Sequence, residues 1–324
     1  MVPPAPLPEA RDRAGAYPHH LLGIEGLSRG EAERIMALAD RFLSGEAPPP
    51  TLRGRAVINA FFEASTRTRT SFEMAARQLG AQVLSLSPAT SSVTKGETLL
   101  DSVRTLEAMG AEFVVLRHAS SGAAAFLARK VRAAVVNAGD GAHEHPTQAL
   151  LDAVTIRRRL GRVEGLTVAV CGDIAHSRVA RSNALLLGLL GARVRFCGPP
   201  TLLPAGAAEA YGVEVCERLK PALEGADVVM GLRVQRERLG GAFLPSLDDY
   251  ARGWRLGQRE LERAAPGAIV LHPGPMNRGV EIEGALADGP ASAVLEQVRA
   301  GVAVRAAVLH LLASGGTPPS GSPE

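Results

Sequence analysis

Cysteine is scarce in this 324-residue chain. Cys171, Cys197 and Cys216 are the only ones, an odd number with no Cys-x-x-Cys spacing. Neither a disulfide framework nor a zinc cluster is expected, and a reducing cytoplasm is the expected setting. Long apolar runs are missing too. The longest, NALLLGLLGA from Asn183 to Ala192, falls well short of the roughly 20 residues a membrane span needs. The first residues, MVPPAPLPEARDR, hold no apolar core of the kind a signal peptide requires, so none is expected. Nor does one sign of charge dominate. With 36 basic against 33 acidic side chains the net charge is +3, and the sequence pI near 9.0 overstates the imbalance. Nucleic acid calls for a clustered basic stripe, which so small an excess does not supply. A few arginines focused on a small anion fit the same total. The 35 glycines and 22 prolines stay below the roughly 25–30% at which low-complexity disorder is the better reading. What remains is an ordinary folded chain, 46% hydrophobic and long enough for two domains.

Its pattern is alternating. Residues 1–18 carry five prolines and no period, and read as a tail with little order. Gly30–Leu43 has helical spacing, with Ser28 and Glu31 placed for a capping box. Strands are then predicted over 56–62, 82–86, 113–117 and 133–137, with helices over 68–79, 98–109, 122–130 and 148–159 between and after them. A second series follows: strands over 166–171, 193–197, 227–230 and 268–271, a helix over 179–190, and a last helix over 292–313. Apolar strands separated by helices indicate βαβ units and buried parallel sheets. The expectation is α/β: two doubly wound domains with parallel sheets, over 19–147 and 148–291. The helix over 292–314 is expected to pack back on the first domain.

The most informative stretch is Ser65-Thr66-Arg67-Thr68-Arg69, between a buried strand and a helix. A helix N-terminus offers unpaired N–H groups and partial positive charge, and phosphate binds there readily. Here the first turn adds three hydroxyls and two guanidiniums, which match phosphate oxygens. The pattern is neither a P-loop nor G-x-G-x-x-G. The turn GDIAHSR after LTVAVC also lacks the later glycines of a dinucleotide fingerprint, and stays a fold-level analogy.

The pentapeptide STRTR at 65–69 resembles the signature of the aspartate/ornithine carbamoyltransferases. Further motifs match in order: SSVTKGE at 91–97, LRH at 116–118, HPTQ at 145–148, GD at 172–173 with SR at 177–178, RVQ at 233–235 and HPGP at 272–275. The resemblance covers about 19–314. It implies transfer of a carbamoyl group from carbamoyl phosphate to an amine, without metal or organic cofactor. It implies that Ser65, Thr66, Arg67 and Thr68 hold the phosphate, while Arg69 makes a structural ion pair. Arg117 would bridge phosphate and carbamoyl oxygen. Thr68, Arg117 and His145 would then form an oxyanion-type hole, and Gln148 would accept from the carbamoyl NH2. Ser91 and Lys95 would reach into a neighbouring subunit's site, which implies a homotrimer with shared sites. A regulatory chain or a dihydroorotase as further partner stays open. No nucleic acid or membrane partner is expected.

The second substrate is set by charge. Aspartate needs cations for two carboxylates, whereas ornithine needs an acid for its side-chain amine. Arg178, Arg233 and Gln235 resemble the aspartate branch, whose role is in de novo pyrimidine biosynthesis. In that branch backbone carbonyls of the turn at Gly274 and Pro275 hold the amine. The family commonly carries leucine where Gly274 stands, and the Gly274–Pro275 peptide is a candidate for cis. Ornithine or a modified amino acid as acceptor, and a non-catalytic paralogue, are the alternatives. His143 two residues before His145, with Glu144 and Asp140 near, invites a metal reading, but metal sites usually want a fuller ligand set.

Overall fold

Ser28 opens the first helix as the sequence predicts. Its hydroxyl accepts from the Glu31 N–H, and the Glu31 carboxylate accepts from the Ser28 N–H in return. The computed structural model describes residues 19–49, 51–86, 97–234 and 246–315. The expected tail, Ser91, Lys95 and Gln235 lie outside the described residues. The first series runs α1 (Arg29–Ser44), β1 (Ala56–Phe61), α2 (Thr66–Gln78), β2 (Gln82–Leu86), α3 (Leu99–Ala108), β3 (Ala111–His118), α4 (Ala123–Ala128), β4 (Ala134–Asp140) and α5 (Pro146–Leu160). The second runs β5 (Thr167–Cys171), α6 (Arg178–Leu189), β6 (Arg193–Cys197), α7 (Ala207–Tyr211), β7 (Glu214–Cys216), α8 (Leu219–Leu223), β8 (Val228–Gly231), α9 (Leu247–Trp254), α10 (Gln258–Leu261), β9 (Ile269–Leu271), α11 (Gly284–Ala287) and α12 (Val294–Gly315). Predicted boundaries shift by one to three residues. The largest functional shift is at α2, which starts at Thr66 rather than Thr68 and leaves Ser65 at the N-cap.

Both sheets are parallel throughout. The first has strand order β2-β1-β3-β4 and the second β7-β6-β5-β8-β9. In each, the chain winds outward from a central strand and then returns to its other side. The order therefore reverses between β1 and β3, and again between β5 and β8. Such switch points open a crevice beyond the carboxyl ends of the strands.

Alternating strand residues face two different layers. Val57, Phe61, Phe113 and Val115 join a core shared with α1, α2, α5 and α12, and the same core continues into Val168, Val170 and Phe196 of the second sheet. Ile58, Ala60, Val114 and Leu116 pack the opposite face against α3 and α4. The three cysteines sit in the second sheet's other layer, on neighbouring strands in register, Cys171 beside Cys197 beside Cys216, free and buried.

The last helix packs on α1, α2 and α5, that is, on the first body. Among the described residues it is the helix whose length and mean hydropathy meet those of a membrane span, a property that a search for unbroken apolar runs passes over. More than half of that window is buried within the fold. Its apolar character is that of a core helix touching three others.

Candidate active site

The carboxyl ends of both sheets face one cleft of about 970 Å³. After β1 the chain turns into α2, whose N-cap is Ser65. That side chain makes no capping hydrogen bond, and the first turn holds no acidic residue. A serine at this position ordinarily bonds the helix's own N–H groups. Here the hydroxyls of Ser65 and Thr66, the Arg67 guanidinium and the half-free helix end all line the cleft. Thr68 lines it too and is buried. Arg69 turns away and pairs with Glu73 one turn on, at 4.0 Å.

Arg117 stands at the end of β3, donating to the Ala138 carbonyl at 3.2 Å and to Glu63 Oε1 at 3.0 Å. Arg178, at the start of α6, is buried. It donates to both oxygens of Glu63, at 2.8 and 3.1 Å, and to the Gly141 carbonyl. Glu63 thus ties a strand end of the first sheet to a helix start of the second. Sequence reasoning missed it, since a lone acid two residues before Ser65 gives no signal of partners 54 and 115 residues away. Gly139 lets the two guanidiniums approach: it has φ +117°, and a Cβ there would lie 3.0 Å from Arg178.

His145 occupies the N-cap of α5, and its backbone N–H donates to Ser182 Oγ at 2.9 Å. Its ring is buried in the cleft wall. Burial, followed by Arg117, Arg178 and Arg305, pushes its pKa well below the usual range. The imidazole is neutral at pH 7 and presents one N–H donor. Gln148, one turn on, donates its NH2 to Asp152 at 2.9 Å, which leaves its carbonyl oxygen to the cleft.

The approach to His145 is a braced turn. Asp140 accepts from the Gly122 N–H at 2.6 Å, Asn137 Nδ2 at 2.8 Å, the Glu144 N–H at 3.1 Å and the His143 ring. Burial alone would raise its pKa, but the bonds from His143, Asn137 and Gly122 outweigh that and hold it below the carboxylate range. Glu144 accepts from the Ile24 and Glu25 N–H groups and from Ser182 Oγ. Ligand atoms of Glu25, His143 and Glu144 lie within 4.8 Å of one another. The donors already on Asp140 and Glu144 account for these residues as a structural brace. Asp140→Ala is expected to cost about 2–4 kcal/mol, because it strands several buried donors at once. Thermal unfolding checks it. Since the folded pKa is depressed, the wild-type contribution is present above the unfolded value and fades as pH falls through the folded one. The gap between the two proteins should therefore narrow in acid.

From the second sheet come Arg233, after β8, and the turn after β9. Gly274 has φ +64°, its peptide to Pro275 is cis, and its N–H donates to His272 Nδ1 at 2.8 Å. A Cβ at 274 would lie 2.8 Å from the Arg67 guanidinium. Glycine at this position therefore lets Arg67 lie against the turn. Burial and the neighbouring Arg233 both lower the pKa of Arg67. The cleft thus gathers Ser65, Thr66, Arg67, Thr68, Arg117, His145, Gln148, Arg178, Arg233, Gly274 and Pro275. It also gathers Ser71, Gln297 and Arg305, which the sequence did not single out.

Comparison with known proteins agrees with this geometry. Residues 19–158 match the family description "aspartate/ornithine carbamoyltransferase, carbamoyl-P binding domain", and 164–312 match its "Asp/Orn binding domain". The aspartate carbamoyltransferase catalytic subunit of Sorangium cellulosum is 61% identical over 303 residues, 92% of this chain and 94% of that one. Aspartate transcarbamoylase of Trypanosoma cruzi, solved with carbamoyl phosphate and aspartate, superposes with a TM-score of 0.81 at 31% identity, covering 90% of this chain and 95% of that one. Ornithine carbamoyltransferase of Thermus thermophilus gives the same TM-score at 26% identity, over 91% and 99%. Shape alone does not separate the two branches, and the side chains in the cleft must. The chain belongs to the aspartate/ornithine carbamoyltransferase family.

Proposed function

We propose that this enzyme transfers the carbamoyl group of carbamoyl phosphate to the amine of L-aspartate, giving N-carbamoyl-L-aspartate and phosphate in de novo pyrimidine biosynthesis. One observation carries the choice of acceptor. Arg178 and Arg233 meet the phosphate turn in one cleft, and among the described residues the only acid lining that cleft is Glu63, already bound by Arg117 and Arg178. That lining suits a dicarboxylate and leaves nothing for ornithine's side-chain ammonium. The 61% identity to a subunit of that name supports the same choice.

In this reading the phosphate sits on the N-terminus of α2, held by Ser65, Thr66, Arg67 and Thr68. The aspartate amine attacks the carbamoyl carbon, a C–N bond forms, the C–O bond to phosphate breaks, and the departing phosphate takes the proton the amine gives up. Charge develops on the carbamoyl oxygen, where Thr68, Arg117 and neutral His145 converge as donors. The Gln148 oxygen accepts from the carbamoyl NH2. Arg178, Arg233 and Gln235 clamp the carboxylates, and carbonyls of the turn at Gly274 and Pro275 take the amine. The scheme needs no metal and no cofactor; holding two reactants in line supplies most of the rate.

Ser91 and Lys95 complete the site from the neighbouring subunit of a homotrimer. Exposed Met74 on α2, Leu84 on β2 and Met109 at the C-terminal end of α3 are large apolar side chains that support an interface on this domain. Phosphate release with each acceptor tests the main reading: aspartate is expected to exceed ornithine by at least about 10²-fold in kcat/KM. A preference for ornithine would overturn it.

A further inference from the structure

Asp152 lies in the second turn of α5, wholly buried, and touches no expected substrate. Three amide NH2 groups from three elements converge on it. Gln148 Nε2 of α5 and Gln297 Nε2 of α12 donate to Oδ1, at 2.9 and 2.7 Å, and Asn183 Nδ2 of α6 donates to Oδ2 at 2.8 Å. A carboxylate accepts and cannot donate. It therefore decides which way round each amide sits. With its NH2 committed, Gln148 has its carbonyl oxygen facing the cleft. With its NH2 committed, Gln297 has its oxygen free to accept from the His272 N–H at 2.9 Å, at the root of the turn that carries Gly274 and Pro275.

We propose that Asp152 is a positioning residue for carbamoyl transfer: it fixes the Gln148 amide with its acceptor toward the carbamoyl NH2. The proposal rests on the carbamoyl-transfer reading above. Without Asp152 as acceptor, the Gln148 amide could present NH2 to NH2, a donor facing a donor.

The surroundings favour a titration within reach. Burial raises the Asp152 carboxyl to about 6, against the opposing pull of Asn183, Gln297, Gln148 and Arg305. Of the charged groups on the packed elements, Arg305 of α12 is the one in electrostatic contact. Next to the Asp152 amides, α6 presents neutral Asn183. Asp40 of α1 is engaged by Arg157 and Arg158, at the far end of α5. His145 heads α5 itself and is neutral, and His272 is reached through Gln297.

The test compares wild type, Asp152→Asn, Gln148→Ala and the double variant in steady-state kinetics. Asparagine fills the same space but sets an NH2 among three donors and removes the charge. The expected result is a rise of about tenfold in KM for carbamoyl phosphate in Asp152→Asn, with kcat and the KM for aspartate moving less. The double variant should be no worse than Gln148→Ala, because both changes remove one interaction. The ratio of wild-type to Asp152→Asn kcat/KM for carbamoyl phosphate should fall as pH drops through about 6, where Asp152 takes up its proton. The substrate's own ionisation is common to both proteins and cancels in the ratio. Additive effects, an unchanged KM, or a ratio that stays flat across that pH range would each overturn the positioning role. Wild-type protein without carbamoyl-phosphate turnover would instead overturn the underlying function.

Discussion

Arg67→Ala is expected to lower kcat by about 10³, with the fold intact. The side chain projects into the cleft rather than into the core, so its loss opens no cavity. In the proposed mechanism what disappears is a cation where the leaving phosphate gathers charge, and one preorganised group of this kind is worth about 10²–10³ or slightly more. Lysine should recover only part of the rate, since a point charge does not reproduce the two-pronged contact of a guanidinium. A variant that melts like wild type yet turns over at the wild-type rate would remove Arg67 from the phosphate site.

If the chain forms the proposed homotrimer, mixing two variants should have an equally large effect in the opposite direction. Arg67→Ala and Lys95→Ala proteins, each nearly inactive alone, are expected to regain activity when dissociated together and reassembled. If a site takes Arg67 from one subunit and Lys95 from the next, random mixing makes about a quarter of the sites whole. Recovery of that size checks the shared site by simple assay. No recovery, or full activity of a diluted monomer, would mean that each chain builds its own.

How far the sequence reached depends on distance along the chain. That Ser65–Arg69 would open a helix at a strand end was legible because five hydroxyl and guanidinium side chains stand consecutively after a strand. The two parallel sheets were legible because their strands are short apolar runs between helical periods. β7 was not: it has three residues, two of them exposed, and offers no period to read. Glu63, Asp152, Gln297 and Arg305 were missed for a different reason. Their partners stand far off in the chain: Arg178 for Glu63, Gln297 for Asp152, and Ser71 for Arg305, the last 234 residues away. A lone acid or amide on a helix carries no mark of the neighbour that folding will bring to it. Arg305 is the extreme case. It is buried, stacked 5.1 Å from the Phe72 ring centre, and its pKa is pulled down to about 9 by burial and by Arg117, with Asp152 opposing. In the sequence it is one of three charges, with Glu296 and Arg299, in a helix read from its apolar period.

The Glu63 carboxylate also bears on what the cleft will accept. Several guanidiniums gathered in one depression would attract any passing anion. Two of them instead hold a resident competitor, built into the chain and always at hand. A stray chloride or sulfate gains little by exchanging with it. A ligand that brings its own forked carboxylate, anchored elsewhere in the cleft, can displace it and release Glu63 at the same time. Selectivity against the ordinary anions of a salt solution would then rest on a carboxylate that the chain itself supplies.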